Sequence, residues 1–277
     1  MSETAGPGRN QIPRRRSEVH MRIKVINPNT TASMTGIIEM AAKAVASPGT
    51  EIVVATSRNG AASIEGHYDE AMSIIGLVDE IREGEANGID AYVIACFGDP
   101  GLLAAREIAS GPVLGIAEAA MHAATFVATG FSIVTTLERT RIIAEHLVRS
   151  YGMEHHCRRV RAIDLPVLEL ENPGSNARKL ILAECERAIS EDKSGAIVLG
   201  CAGMADLAHS LEQRLHVPVI DGVVAAVKFA EALVGLRLKT SKRGDLAYPL
   251  PKTYKGMLAS YAPSNQAISS DGAMALL

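Results

Sequence analysis

The stretches AYVIACFGDPGL at 91–102 and AIVLGCAGMADL at 196–207 decide the fold, because they echo each other at an offset of 105 positions. Each is an apolar run that ends in a cysteine and is followed by a helical pattern. A second pair follows at an offset of 106, with PVLGIAEAA at 112–120 and PVIDGVVAA at 218–226. The chain therefore contains the same succession of elements twice.

Short apolar runs alternate with amphipathic stretches throughout this repeat. The runs are rich in Val and Ile and mostly lack polar alternation, which is typical of strands covered on both faces. The predicted strands are 21–27, 50–56, 91–96, 112–116, 131–136, 159–164, 196–201 and 218–221. The predicted helices include 31–46, 68–84, 100–109, 138–151, 174–191, 204–215 and 223–235.

This alternation predicts an α/β fold made of two similar doubly wound parallel-sheet lobes, related by pseudo-twofold symmetry. Ligands bind at the carboxyl ends of strands in open sheets of this kind. Two facing lobes would share one cleft, and we expect the active site there. The predicted organisation is a disordered leader at 1–20, two lobes, and a C-terminal tail at 251–277.

The bulk composition excludes several classes of protein. Of 277 residues, 47% are hydrophobic and 21% charged, as in ordinary folded proteins. A net charge of -3 argues against nucleic acid as a partner, and no run of about 18 apolar residues predicts a membrane span. The first residues lack a secretory pattern, and the four cysteines form no CxxC pair. We therefore expect free thiols and a cytoplasmic location.

Cys96 and Cys201 end corresponding strands of the repeat. A lone cysteine in such a place is usually packing, but a matched pair indicates chemistry. Asp99 and Pro100 predict a helix start after Cys96, and a helical pattern follows Gly203. Thiolates are stabilised beside helix N-termini. Two such thiols could act as base and acid on opposite faces of one carbon, and their roles would exchange with the enantiomer bound.

Polar groups at neighbouring strand ends would complete the cleft. Backbone N–H groups at Phe97–Asp99 and Ala202–Gly203 are suited to stabilise a developing enolate oxygen. Asn29 either faces the cleft or caps the following helix, and Glu118 is either a cleft residue or a first-turn charge. Thr136 occupies the position that mirrors the Asn29 loop in the echo.

Five motifs carry a resemblance to the aspartate/glutamate/hydantoin racemase superfamily, most closely to its hydantoin racemases and their allantoin racemase relatives. They are INPNTTASMT (26–35), ASIEGHYDEAM (62–72), IACFGDPGLLAAREI (94–108), GIAEAAMH (115–122) and VLGCAGMADL (198–207). The resemblance implies racemisation of 5-monosubstituted hydantoins at C5, without pyridoxal phosphate, another cofactor or a metal. It also implies a small-molecule substrate and assembly as a homo-oligomer.

The same resemblance assigns the site residues. Cys96 and Cys201 would be the catalytic pair. Asn29, Gly98, Glu118, Thr136 and Gly203 would line the cleft, and we expect Phe97, Gly200 and Ala202 beside the two cysteines to bind the substrate as well. The resemblance also implies a first lobe of 21–118 plus 220–250 and a second lobe of 119–219.

Several alternatives stay open from the sequence alone. Within the superfamily, these are an allantoin racemase, an amino-acid racemase and a maleate isomerase, although the last two need a carboxylate-binding group that is not evident. An arylmalonate decarboxylase should carry only the second-half cysteine, so Cys96 counts against it. Outside the superfamily, the chain could be a two-lobed small-molecule binding protein or a redox protein with a reversible disulfide.

Overall fold

The computed structural model describes residues 21–172 and 174–263. In these ranges the strands are β1 (Met21–Asn27), β2 (Thr50–Thr56), β3 (Ala91–Ile94), β4 (Val113–Gly115), β5 (Phe131–Thr135), β6 (Cys157–Ala162), β7 (Ala196–Leu199) and β8 (Val219–Ile220). All eight predicted strands are present. The predicted leader at 1–20 and the last part of the predicted tail, 264–277, lie outside the described residues.

The strands form two parallel four-stranded sheets with the same internal order. The first sheet runs β2-β1-β3-β4 and the second runs β6-β5-β7-β8. Every strand pairing is parallel. The α/β fold with two similar parallel sheets is therefore confirmed, and the repeated strand order accounts for the sequence echo. We call residues 21–115 the first half and residues 131–221 the second half.

Helices connect and cover these strands. They are α1 (Ala32–Val45), α2 (His67–Ala86), α3 (Leu102–Ile108), α4 (Ile116–Val127), α5 (Glu138–Ser150), α6 (Ala177–Ser190), α7 (Ala208–Leu215) and α8 (Gly222–Gly235). Helix α4 joins the two halves and packs against both α8 and β7, whereas α8 packs on the first sheet. The predicted lobe boundaries at 118/119 and 219/220 fall inside α4 and β8.

The largest apolar cluster spans both halves. It includes Ile23 and Val93 of the first sheet, Val134 and Leu199 of the second, and Val223 of α8, all of them buried. Burying apolar surface is the main favourable contribution to folding, so a shared cluster holds the two sheets at a fixed relation. This relation positions the strand ends that carry the two cysteines.

The chain that follows the second sheet returns to the first half. A short 3-10 helix at Gly256–Tyr261 lies against α2, where the Tyr261 hydroxyl donates to Asp79 at 2.8 Å and the Arg82 guanidinium covers the Tyr261 ring at 5.6 Å. The described part of the predicted tail is thus docked on the surface. Across residues 21–172 and 174–263, none of the helices combines the length and apolar character needed to cross a bilayer.

Candidate active site

A small cavity lies at the carboxyl ends of the central strands, between the two halves. Cys96 lies two residues after the end of β3, next to Ala95. Cys201 likewise lies two residues after the end of β7, next to Gly200. Both line the same cavity, whose volume is about 50 Å³. The shared lining brings together the two cysteines that the sequence echo singles out. Parallel sheets place their carboxyl ends at such crevices, so the repeat itself accounts for the convergence.

Each thiol accepts a hydrogen bond from the backbone two residues further along. The N–H of Gly98 donates to Cys96 and the N–H of Gly203 donates to Cys201. Burial nevertheless dominates. It raises the pKa of the Cys201 thiol to about 11, and it raises the pKa of the Cys96 thiol further still. For both cysteines, burial thus favours the protonated thiol over the thiolate.

The segments after the two cysteines differ from the predicted helix starts. Helix α3 begins only at Leu102, after Gly101 in the left-handed conformation (φ 66°). Cys201 leads into a 3-10 helix at Ala202–Leu207, and α7 follows it. The interpretation of Asp99 as the cap of α3 is wrong, because another helix end offers its N–H groups to this carboxylate.

Asp99 caps helix α4 instead. Its two carboxylate oxygens accept hydrogen bonds from the N–H of Ala117 at 3.0 Å and of Glu118 at 2.9 Å, and Oδ2 also accepts from the Tyr151 hydroxyl at 2.7 Å. Burial raises the pKa of Asp99 to about 7, while these three donors oppose the shift. Asp99 thus ties the loop after Cys96 to the helix that joins the halves and, through Tyr151, to the second half.

The loops after β1 and β5 supply the polar walls. Asn29 lines the cavity, and its Oδ1 accepts from Asn27 Nδ2 and the Thr31 N–H, both at 2.9 Å. On the opposite side, the Thr135 hydroxyl donates to the Gly200 carbonyl at 3.1 Å. Thr31 precedes α1 without a side-chain cap, so Asn29 belongs to the cavity and braces its own loop rather than capping the helix.

Most of the residues predicted for the cleft do line the cavity. They are Asn29, Phe97, Gly98, Thr136, Gly200 and Ala202. Gly203 lies directly behind Cys201, since a Cβ added to it would stand 3.7 Å from the sulfur. Glu118 is not brought to the cavity. Its side chain pairs with Arg106 at 2.5 Å and lines a separate groove between α4 and α8, so of its two interpretations only the first-turn charge agrees with the structure.

Sequence reasoning missed several lining residues. Glu70, in the first turn of α2, is the one carrying an ionisable group, while Met34, Ile64, Ile143 and Val167 are apolar. Glu70 lies within the motif at 62–72, but an acidic residue in a first helical turn is also expected simply from the helix dipole. Its place in the site becomes visible only from the tertiary packing of α2 against the loop after Cys96.

Two contacts join the halves beside the cavity, next to its lining residues Ile64 and Val167. Glu65 Oε1 accepts the N–H of Val167 at 2.8 Å, and the rings of His67 and His146 stack with their centroids 6.2 Å apart. Ligand pockets usually enclose about 300–1,000 Å³, so this cavity is small.

Within residues 21–172 and 174–263, no group of three or more His, Cys, Asp and Glu side chains is arranged to hold a metal ion. Cys185 is buried in the core, and His156 immediately precedes Cys157 at the start of β6.

Comparison with known proteins agrees with this geometry. Residues 23–230 match the family model described as Asp/Glu/Hydantoin racemase. A hydantoin racemase of Pseudomonas sp. (strain NS671) is 51% identical over 87% of this chain and 97% of its own, and one of Rhizobium meliloti is 54% identical over 85% and 98%. The solved allantoin racemase from Klebsiella pneumoniae is 59% identical, covers 88% of this chain and all of its own, and superposes with a TM-score of 0.86. The chain belongs to the Asp/Glu/hydantoin racemase family, and its predicted enzyme class, an isomerase, is confirmed.

Proposed function

We propose that this protein racemises 5-monosubstituted hydantoins at C5 and that Cys96 and Cys201 act as a matched base and acid. The observation that carries the proposal is the shared cavity, which both thiols line from equivalent strand ends of the two halves. The substrate follows from the hydantoin racemases that resemble this chain over most of its length.

The reaction needs two groups that face opposite sides of one carbon. One cysteine, as thiolate, removes the C5 proton, and the electron pair moves into the neighbouring carbonyl to give a planar enolate. The other cysteine, as thiol, delivers its proton to the opposite face, which leaves a thiol and a thiolate with exchanged roles. Backbone N–H groups beside the sulfurs, such as those of Gly98 and Gly203, support thiolate formation.

The raised pKa values of the thiols bear on how this cycle begins. Burial favours the thiol form of both cysteines, so one must lose its proton before it can act as a base. The C5–H of a hydantoin lies next to a carbonyl in a neutral ring and is more acidic than the α-proton of a free amino acid. Such a substrate suits a pair of thiols without an electron-accepting cofactor.

Allantoin is the second candidate substrate. It is favoured by the solved allantoin racemase that is 59% identical to this chain. Allantoin is itself a hydantoin with a polar ureido group at C5. The apolar lining residues Met34, Ile64, Ile143 and Val167 favour an apolar C5 substituent instead. We expect kcat/KM for 5-benzylhydantoin to exceed that for allantoin, measured with both substrates on one preparation.

The proposal is tested with each enantiomer of 5-benzylhydantoin in D2O. Wild type should racemise both, and Cys96→Ser and Cys201→Ser should each lower racemisation at least about 100-fold, because each lacks one proton-transfer group. Each serine variant should retain solvent deuterium exchange with one enantiomer at most, and the two variants should differ in which one.

Cys157→Ser is the matched control, because this thiol lies in β6 and not in the cavity lining. It should racemise at the wild-type rate. Wild-type rates in either Cys96→Ser or Cys201→Ser would rule out the two-thiol mechanism. Binding of the hydantoin by wild type without racemisation would favour the two-lobed binding protein, and a disulfide between the two cysteines on mild oxidation would favour the redox role.

The assembly and the cytoplasmic location stay predictions. Support for a homo-oligomer comes from a run of exposed apolar side chains near the groove between α4 and α8, among them Phe126, Val127 and Leu238. Exposed apolar patches commonly mark protein–protein contacts. Light scattering during size-exclusion chromatography would show whether the chain is larger than a monomer.

A further inference from the structure

Glu70 occupies a distinctive position in the cavity. It projects from the first turn of α2, and its side chain is only 19% exposed. A Cβ added to Gly98 would stand 2.5 Å from Glu70 Oε1, so the carboxylate lies directly against the backbone that donates to the Cys96 thiol. Its charge also acts on that thiol, since Glu70 is among the groups that raise the pKa of Cys96.

Among the described residues that line the cavity, Glu70 is the only one with a carboxylate side chain. Apart from the two thiols, every other described residue of the lining is apolar, a glycine, a threonine or Asn29. No Arg, Lys or His is among the described lining residues. A free amino acid or a dicarboxylate would therefore meet a negative group and no matching cation, whereas a ligand that presents N–H donors would be attracted.

The two oxygens of Glu70 have different partners. Oε2 lies 3.3 Å from Nδ1 of His67, one turn away on α2. Oε1 accepts no hydrogen bond from any residue in the described part of the chain. Burial raises the pKa of Glu70, and His67 opposes that shift. Solvent can reach Oε1, so a ligand N–H that displaces water there would meet an acceptor that no described side chain occupies.

We propose that Glu70 is a specificity-determining residue whose Oε1 accepts a ring N–H of the substrate and selects neutral cyclic ureides over carboxylate substrates. The proposal rests on the proposed function and adds the group that recognises the ring. The hydantoin ring carries one N–H bonded to C5 and another between its carbonyls. Because Glu70 lies against Gly98 and lines the same cavity as Cys96, a ring whose C5 meets the Cys96 sulfur would present one of these N–H groups to the carboxylate.

The test combines variants of Glu70 with methylated substrates. Racemisation of 5-benzylhydantoin and of its 1-methyl and 3-methyl derivatives is measured with wild type, Glu70→Gln and Glu70→Ala. In wild type, methylation of the recognised nitrogen should lower kcat/KM roughly 10- to 100-fold, because it removes a hydrogen bond to a charged group. In Glu70→Ala the same methylation should cost less than about threefold, and Glu70→Gln should be intermediate.

Glu83→Gln is the matched control, because Glu83 lies on the same helix, is 56% exposed and pairs with Lys24 outside the cavity. It removes the same charge and should keep the full methylation penalty. Thermal unfolding of each variant separates a loss of fold from a loss of recognition, since a merely structural Glu70 would lower the rates for all three substrates equally.

The outcomes also separate this proposal from the proposed function. Equal methylation penalties in wild type and Glu70→Ala would overturn the role of Glu70 and leave racemisation intact. If wild type racemises none of the hydantoins, the proposed function fails. In that case, calorimetry gives the dissociation constants of the same three compounds for wild type and Glu70→Ala. If methylation weakens binding equally in both proteins, the role of Glu70 is again overturned.

Discussion

The two halves hold their cysteines at equivalent strand ends, but they anchor the surrounding helices in opposite ways. In the second half, Asp221 precedes α8 and caps it directly, with Oδ1 accepting the Val224 N–H at 2.8 Å. The equivalent residue of the first half is Gly115, which cannot cap α4. The carboxylate arrives from Asp99 instead, and a Cβ on Gly115 would stand 2.2 Å from Asp99 Cγ.

The exchange is reciprocal. At the echo offset of 105, the counterpart of Asp99 is Met204, a fully buried apolar residue three positions after Cys201. One half thus carries its carboxylate in the loop and a glycine at the helix cap, while the other carries methionine in the loop and its carboxylate at the cap. Each thiol therefore has one buried carboxylate nearby, Asp99 for Cys96 and Asp221 for Cys201, and each carboxylate raises the pKa of its thiol.

The two halves thus share the position of a carboxylate at the start of a helix, although residues at different sequence positions supply it. Asp99 differs from Asp221 in one further respect, because its bond to Tyr151 reaches the second half. Asp221 keeps Oδ2 buried without a hydrogen-bond partner in the described part of the chain. We therefore expect the two carboxylates to differ in their contributions to stability.

The largest difference is expected from removing each carboxylate. Asp99→Ala should lower the free energy of unfolding by about 3 kcal/mol, because two helix N–H groups and the Tyr151 hydroxyl lose their acceptor. Asp221→Ala should cost about 1 kcal/mol, the usual contribution of a single cap. Urea unfolding at pH 8 measures both, and equal losses would remove the distinction between the halves.

A smaller effect is expected in the pH dependence of stability. Burial raises the pKa of Asp99 to about 7 and that of Asp221 to about 6, against about 3.9 for an unfolded chain. The folded state therefore holds these protons more tightly, and their stabilising contribution is complete below about pH 4 and is lost as the pH rises. Between pH 6 and 7 the folded state still holds most of the Asp99 proton but half or less of the Asp221 proton, so Asp99 accounts for most of the stability lost in this range.

In wild type, Asp99 should lower the free energy of unfolding by up to about 1.4 kcal/mol between pH 6 and 7. We expect Asp99→Asn to abolish this decrease, whereas Asp221→Asn should retain most of it. Urea midpoints at pH 6.0 and 7.0 provide the measurement. A wild-type slope in Asp99→Asn would show that another group titrates there.

The smallest expected effect concerns the thiols themselves. The pKa of Cys96 is raised further than that of Cys201, so less of it is thiolate at pH 8. Iodoacetamide should alkylate Cys201 at least about threefold faster, even though Cys96 is the more exposed of the two. Peptide mass spectrometry on the Cys157→Ser background follows each site, and faster labelling of Cys96 would reverse the predicted order.

The sequence predicts the strands well because their apolar runs are local signals. It predicts the position of the two cysteines because the echo relates distant segments without any structure. It does not predict the cap of α4, since Asp99 and Pro100 form a convincing local helix start and only tertiary packing shows which helix end receives the carboxylate.

Two further failures of sequence reasoning have similar causes. Glu118 has two equally good interpretations in the sequence, and its pairing with Arg106 decides between them. The sequence indicates N–H donors beside each thiol, but the opposing effect of burial on the pKa depends on how closely the two halves meet.

The contacts that join the two halves beside the cavity have a kinetic consequence. A cavity of about 50 Å³ is too small for a hydantoin with a bulky C5 substituent. We therefore expect the segments around Glu65 and Val167 to move apart when substrate enters, while the shared apolar cluster keeps the two sheets in place. The rate of this movement would set an upper limit on how fast substrate is captured and product released. A faster proton transfer would not raise that limit. The hydrogen bond between Glu65 and Val167 would therefore affect the rate of turnover as well as the structure of the site.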